Sequence, residues 1–307
     1  MISLLLFYKI LQLLLIMGAG YALVRAKVVK SDDSIVLSKI ALYLISPCII
    51  LYAFQVDFTE QVRNGILFSA GVALGIHLLL LVLGSFLKRA LGFDVVERMS
   101  ILYSNAGNLI IPIVVSVLGP EWLIYSIAYM ASQIVFFWTH CKFQFCPQER
   151  LDLKGICTNI NLLAIAAGVI SMALGIHYPE PLKETLGMVG NMIGPVCMLV
   201  TGMIVGGMKL GSLLGRLGLY KVAAFRLIIV PAIFLCIIKY SGMATWVEHG
   251  QEILLITFLA LSTPSASTVV QFAQVYGADA EYAGAINIVT LLLCIITMPL
   301  FVYWYYL

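Results

Sequence analysis

The sequence has little charge. Of its 307 residues, 11% are charged and 62% are hydrophobic, and the mean hydropathy is +1.04. Soluble domains carry about 25% charged residues, so this chain has less than half the usual charge to keep its surface in water. The 18 basic and 15 acidic side chains nearly cancel, which excludes a nucleic-acid-binding protein. These deficits identify an integral membrane protein that lies among lipid.

Motifs of an enzyme or a metal protein are also missing. The four histidines are widely scattered, and neither HExxH nor GxSxG occurs. The seven cysteines contain no CxxC pair, and those inside apolar runs are typical of small hydrophobic residues. We therefore expect no enzymatic activity, no cofactor and no metal. An intramembrane enzyme, or a channel or receptor of the same topology, remains the alternative class.

Long apolar runs occupy nearly the whole chain. A bilayer core needs about 20 apolar residues for each helix. Ten runs approach or exceed this length, at about 2–24, 35–54, 65–87, 96–118, 121–145, 159–176, 182–207, 218–241, 251–275 and 281–306. We predict an all-α membrane protein with a first five-helix repeat at 1–145, a cytoplasmic linker at 146–158 and a second repeat at 159–307.

Basic residues indicate the orientation of these spans, because cytoplasmic loops carry an excess of lysine and arginine. Loops after odd-numbered spans hold twelve basic residues, whereas loops after even-numbered spans hold only Arg63, Lys183 and Lys239. We therefore expect a multi-pass protein of the plasma membrane. Its central loop is expected in the cytoplasm and both termini outside.

An odd number of spans in each half requires the second repeat to be inverted relative to the first. Spans four and nine end at Gly119 and Gly277, and aligning these glycines places Ser104-Asn105 against Ser262-Thr263. The second and seventh spans share similar proline motifs, ISPC at 45–48 and IGPVC at 193–197. Chance similarity remains the alternative to duplication.

Spans four and nine carry proline and polar residues near their centres. A proline in mid-helix removes a backbone donor and clashes with the preceding turn, and polar side chains at that depth are costly. Broken helices in matching positions of two halves are typical of a transporter binding site. The alternative is an ordinary proline kink with side chains bridging neighbouring helices. The central residues are Asn105, Gly107, Asn108 and Pro112 in span four, and Ser262, Thr263, Pro264, Ser265, Ser267 and Thr268 in span nine.

Two helix starts are suggested inside these spans. Thr263-Pro264 has the pattern of a cap followed by proline at the first helical position, and Asn108 is a candidate cap in span four. Pro112 and Pro264 are accordingly the predicted helix-breaking residues.

The motif NAGNLIIP at 105–112, followed by Gly119, resembles the auxin efflux carrier superfamily, including its bacterial organic-acid permeases. The block TPSASTVVQFAQVYGADAEYAGAINIVTLLLCIITMPLF at 263–301 resembles the C-terminal signature of the same group. The resemblance implies two inverted five-helix repeats, a scaffold-like and a transport domain, and spans four and nine crossing as broken helices. It also implies transport of small carboxylates and a homodimer.

Neutral polar groups, rather than carboxylates, lie at mid-span depth, so no obvious proton relay is present. Two converging helix N-termini would favour a carboxylate, because each presents about half a positive charge and free N–H groups. We expect a small organic anion as the substrate, with lipid as the other partner and no nucleic acid. The predicted substrate-binding residues are Asn105, Asn108, Thr263 and Ser265, followed by Gln133 and Ser46.

Predicted spans three and eight each carry a basic side chain well inside the span. His77, alone in span three, is interpreted as a buried, hydrogen-bonded histidine, with proton coupling as the alternative. Arg226 in span eight is expected to extend towards the cytoplasmic interface, and the alternative places it along the anion path.

Overall fold

The computed structural model describes residues 2–147, 157–207 and 215–307. Most of the predicted linker, at 148–156, therefore lies outside the described residues. Twelve helices account for nearly all of the described chain: α1 (Ile2–Arg25), α2 (Ser31–Ala53), α3 (Glu60–Leu91), α4 (Val95–Leu102), α5 (Ala106–Val117), α6 (Pro120–Phe145), α7 (Ile160–Ala173), α8 (Glu180–Gly207), α9 (Leu217–Ser241), α10 (Gly250–Ser262), α11 (Ser267–Val275) and α12 (Ala280–Tyr306).

Seven of these helices are long and apolar enough to cross a membrane, namely α1, α2, α3, α6, α8, α9 and α12. Two shorter apolar helices, α7 and α10, lie between them. The described chain contains helices and a single isolated β-bridge. The prediction of an all-α, multi-pass membrane protein is therefore confirmed.

Predicted spans four and nine are each interrupted. The first consists of α4 and α5, separated by residues 103–105, and the second consists of α10 and α11, separated by residues 263–266. α4 begins with a capping box in which Asp94 Oδ1 accepts from the Glu97 N–H and Glu97 Oε2 accepts from the Asp94 N–H. The chain therefore forms four short helices in the two spans that the sequence predicts to be broken.

Prolines also shape two of the long helices. Pro47 in α2 and Pro231 in α9 each follow a π-helical segment, Ala41–Ile45 and Phe225–Ile229. A proline ring inside a helix clashes with the carbonyl four residues before it. The wider π turn contains that carbonyl in both helices, so the chain continues through the proline.

The helices pack in two groups that do not follow the two halves of the sequence. The first group consists of α1, α2, α7 and α8, and the second group consists of α3–α6 and α9–α12. Close contact between α1 and α8 depends on glycine, since a Cβ at Gly202 would overlap the carbonyl oxygen of Met17. The groups touch where α1 meets α5 and α12, where α8 meets α5, and where α6 meets α2 and α7.

The connecting segments meet at two opposite ends of the bundle. At one end, Arg216 pairs with Asp279 at 2.7 Å, and Tyr282 donates to Glu97 at 3.0 Å. At the other end, the Tyr178 N–H donates to Gln55 Oε1 at 2.7 Å. Residues beside the loops that follow predicted spans three, seven and nine thus contact one another.

Candidate functional site

The interruptions of the two broken helices contact each other directly. Ser104 and Ser265 form an antiparallel β-bridge. The Asn105 N–H donates to the Pro264 carbonyl at 2.8 Å, and the Ala266 N–H donates to the Tyr103 carbonyl at 3.0 Å. The unwound backbones therefore satisfy part of each other's hydrogen bonding inside the protein, where no water is needed. We call residues 103–105 and 263–266 the crossing.

Gln133 from α6 supports the first half of the crossing. Its Nε2 donates to the Ser104 carbonyl at 2.8 Å. Its Oε1 accepts from the Ser104 N–H at 3.3 Å and from the Ser104 hydroxyl at 2.7 Å. One side-chain amide therefore binds the backbone donor and acceptor of Ser104, as a neighbouring strand would.

Two side chains of α12 support Ser265 in the same manner. Thr290 Oγ1 accepts from the Ser265 N–H at 3.1 Å, and Asn287 Nδ2 donates to the Ser265 carbonyl. Ser104 and Ser265 are thus equivalent in their backbone bonding. The glycine alignment, which paired Ser104 with Ser262, is three residues out of register, because α11 has 9 residues and α5 has 12.

Arg226 from α9 lies where α4 and α10 end. Its Nε and Nη2 donate to the Thr263 carbonyl at 3.0 and 2.8 Å, and Nη2 also donates to the Leu261 carbonyl. Its Nη1 donates to the Ile101 carbonyl at 2.9 Å. The residue is fully buried, at 0% exposure. Arg226 therefore does not extend to the interface, and its donors bind helix-terminal carbonyls. Its place along an anion path stays a prediction.

Two helix N-termini also lie at the crossing. α5 begins at Ala106 and α11 begins at Ser267, directly after the residues that bridge the two chains. The first N–H groups of a helix have no partner within that helix and carry partial positive charge. The bridge at Ser104 and Ser265 thus holds both helix starts within two residues of one contact point, while Arg226 covers the two helix ends.

The predicted binding residues differ in what their side chains do. Asn105 is buried at the N-cap position of α5, and its side chain makes no capping hydrogen bond. Ser265 is buried, and its hydroxyl has no hydrogen-bond partner among the described residues. The Thr263 hydroxyl donates to the Ala260 carbonyl at 2.9 Å and is thereby occupied. Asn108 lies in the first turn of α5, but its side chain is outside the described part of the structure.

The predicted helix breaks are corrected in two respects. Pro112 lies inside α5, and the break occurs earlier, at 103–105, because the bridge to the other broken helix fixes it there. Pro112 instead packs against α8, where a Cβ at Gly194 would come within 2.9 Å of it. Pro264 does lie in a break, but Thr263 is the C-cap of α10 and α11 begins three residues after Pro264, so the predicted helix start is wrong.

Gln133 and Ser46, the second-rank predictions, have different positions. Gln133 is at the crossing, with its amide engaged by Ser104. Ser46 is buried in α2, which belongs to the first group of helices. The described hydrogen bonds do not connect Ser46 with the crossing, and its role in binding stays a prediction.

His77 is buried, as expected, and its Nδ1 lies 2.7 Å from the Ala73 carbonyl. The ring stacks on Phe136 and contacts Tyr129. Its Nε2 has no hydrogen-bond partner among the described residues. These contacts fit a packed histidine of the interior.

Sequence reasoning did not assign the supporting residues Asn287 and Thr290 to the site, and it did not assign Arg226 to the helix ends. The available signal was their depth, since each is a polar residue within a long apolar span. Depth alone does not specify which face of the helix carries them. Their partners became apparent only when α9 and α12 were placed against the crossing.

Paired interruptions in membrane helices are typical of transport proteins. A family model described as membrane transport protein matches residues 5–156 and again residues 149–302, so the chain belongs to this family, the auxin efflux carrier family. No curated protein sequence matches the chain at a significant level.

Proposed function

We propose that this protein is a secondary transporter of small organic anions, chiefly carboxylates, and that it works by alternating access. The substrate carboxylate binds at the crossing, beside the N-termini of α5 and α11. The observation that carries the proposal is the bridge between Ser104 and Ser265, because both helices start two residues after a bridged serine.

The partial charges of the helix termini favour an anion at this position. Each helix N-terminus is equivalent to about half a positive charge, so two of them attract about one negative charge. Arg226 compensates the ends of α4 and α10. A single carboxylate would therefore complement the two helix starts without a further buried lysine or arginine.

The boundary between the two helix groups next to α5 encloses a gap of only about 10 Å³, so a substrate could enter it only after the groups move apart. This gap is lined only by apolar and sulfur-containing side chains: Leu13, Leu14, Leu109, Ile113, Met198, Leu291, Cys294 and Met298. Apolar walls with a few polar groups suit a small organic anion. In the proposed cycle the second group moves against the first along this boundary and carries the crossing with it. Two inverted five-helix repeats, ten spans and a homodimer belong to the same proposal.

Counterflow in proteoliposomes tests the proposal. Vesicles are loaded with an unlabelled monocarboxylate, and the labelled form is added outside at low concentration. We expect transient accumulation of label and saturation at high substrate concentration. Flux without saturation or counterflow would indicate a channel, binding without flux would indicate a receptor, and chemical conversion of the substrate would indicate an enzyme.

A further inference from the structure

Arg226 is the basic residue most deeply buried in the described chain, and its hydrogen bonds go to backbone carbonyls. Four hydrogen bonds join its guanidinium to the carbonyls of Ile101, Leu261 and Thr263. In the described part of the chain no carboxylate is paired with it. An isolated charge in the protein interior is unstable unless it is compensated, so the carbonyls must supply the compensation.

The two helix ends have the charge that this compensation requires. Each helix C-terminus is equivalent to about half a negative charge, and its last carbonyls lack partners within the helix. α4 and α10 end at this point, so together they offer about one negative charge. The guanidinium offers one positive charge and binds both ends at once.

Unwound backbone carbonyls and helix C-termini are also the groups that hold a coupling cation in transporters with discontinuous helices. Here those oxygens are bound by a side chain of the protein itself. We propose that Arg226 is a permanent cation of the crossing and takes the place of a bound coupling cation, so that anion transport proceeds without sodium. The expected effect on transport rests on the proposed function. The expected cation site at the ends of α4 and α10 rests on the geometry alone.

Removal of the guanidinium tests both consequences. In Arg226→Ala, the carbonyls of α4 and α10 lose their cation and leave a space that a small cation fits. We expect uptake of a monocarboxylate in potassium medium to fall at least about tenfold. Sodium or guanidinium ions at fixed membrane potential should restore uptake to within about threefold of the unmodified protein. The unmodified protein should transport equally in sodium and potassium media.

Thermal stability supplies a readout that does not depend on transport. Guanidinium or sodium ions should raise the Tm of purified Arg226→Ala and leave the Tm of the unmodified protein unchanged. Arg63→Ala is the matched control, since Arg63 is exposed at the start of α3 and pairs with Glu60 there. If the unmodified protein moves no carboxylate, the proposed function fails, while the Tm series still decides whether Arg226 occupies a cation site.

Three results would overturn the inference: sodium dependence of the unmodified protein, full activity of folded Arg226→Ala in potassium medium, or a folded inactive variant that neither cation affects. If Arg226→Ala does not fold, Arg226→Lys and Arg226→Gln replace it. Lysine keeps the charge and glutamine does not, so the lysine variant should transport without sodium and the glutamine variant should require it. The same sodium response in both variants would contradict the inference.

Discussion

Ser104 and Ser265 face each other across an antiparallel β-bridge, and each has its backbone N–H and carbonyl bound by side chains of another helix. Gln133 binds Ser104 with one amide. Asn287 and Thr290 together bind Ser265. The two broken helices are therefore fixed at their centres by equivalent bonds, and separate variants can test support of the crossing and binding at the crossing.

Loss of the Gln133 amide should destabilise the protein. Gln133→Met removes the partners of the buried Ser104 backbone, and an unsatisfied buried group costs about 1–3 kcal/mol. We expect a lower Tm together with weaker substrate binding. Ser132→Ala, at the adjacent position of α6, is the control and should leave the Tm and substrate binding near normal. A normal Tm with abolished binding would instead show that Gln133 contacts the substrate.

Loss of the Asn105 amide should weaken substrate binding without lowering the Tm. Its side chain does not cap α5, so Asn105→Ala should leave the Tm close to normal. If the amide binds the anion, the lost hydrogen bond costs about 1.5–3 kcal/mol, or roughly 10- to 150-fold in affinity. Asn108→Ala is expected to show the same loss of affinity with a Tm close to normal. Titration calorimetry measures the affinity, with Asn64→Ala at the exposed start of α3 as control. A parallel fall in Tm and affinity would mean that the asparagines serve helix packing.

A side chain at Gly202 should separate α1 from α8. The Cβ of Gly202→Ala would overlap the Met17 carbonyl oxygen, and such overpacking costs about 1–3 kcal/mol. We expect a clear decrease in Tm. Gly71→Ala in α3 is the matched control, because a Cβ there has no atom within 4 Å. Gly71→Ala should leave the Tm unchanged or raise it slightly, since alanine forms helices better than glycine. Equal Tm values for the two variants would contradict this account of the contact.

Accessibility of Cys146 tests the predicted orientation. In a background without other cysteines, Cys146 should react only with reagents that reach the cytoplasm. Asp57→Cys, at the opposite end of the bundle in the same background, should react with a membrane-impermeant reagent from outside. Labelling of Cys146 from outside in sealed cells would reverse the topology.

The pair of Arg216 and Asp279 should stabilise the protein in a pH-dependent manner. Burial raises the pKa of the Asp279 carboxyl, but hydrogen bonds from Arg216 and from the Tyr282 N–H outweigh it, so the pKa lies below the usual range. A lowered pKa means that the contribution is complete above the ordinary aspartate pKa of about 3.9 and is lost as the pH falls through the lowered pKa.

Asp279→Asn keeps a capping oxygen but removes the charge. Its Tm should therefore be lower than that of the unmodified protein at neutral pH, and the difference should disappear in strongly acidic buffer. A difference that stays constant down to about pH 3, below the ordinary aspartate pKa, would assign the effect to something other than the ion pair.

The sequence by itself determined the membrane environment, the helical class and the two spans that break. Low charge and runs of about 20 apolar residues leave few alternatives to membrane helices. Asn105 and Pro264 lie in the middle of such runs, and this local conflict with a continuous helix is visible without any partner. The family motifs at 105–112 and 263–301 pointed to the family that the whole-chain match confirms.

Tertiary structure decided where each break falls and what compensates it. Pro112 satisfies the local rule for a helix break, yet α5 continues through it and packs against Gly194. The break lies at 103–105 instead, because the bridge to 263–266 and the amide of Gln133 replace the lost helical hydrogen bonds there. Likewise, nothing local distinguishes an arginine that extends to the interface from Arg226, whose charge is compensated by two helix ends that are 125 and 37 residues away in the chain. Hydrogen-bond partners so distant in sequence are set by packing, and only the folded chain brings them together.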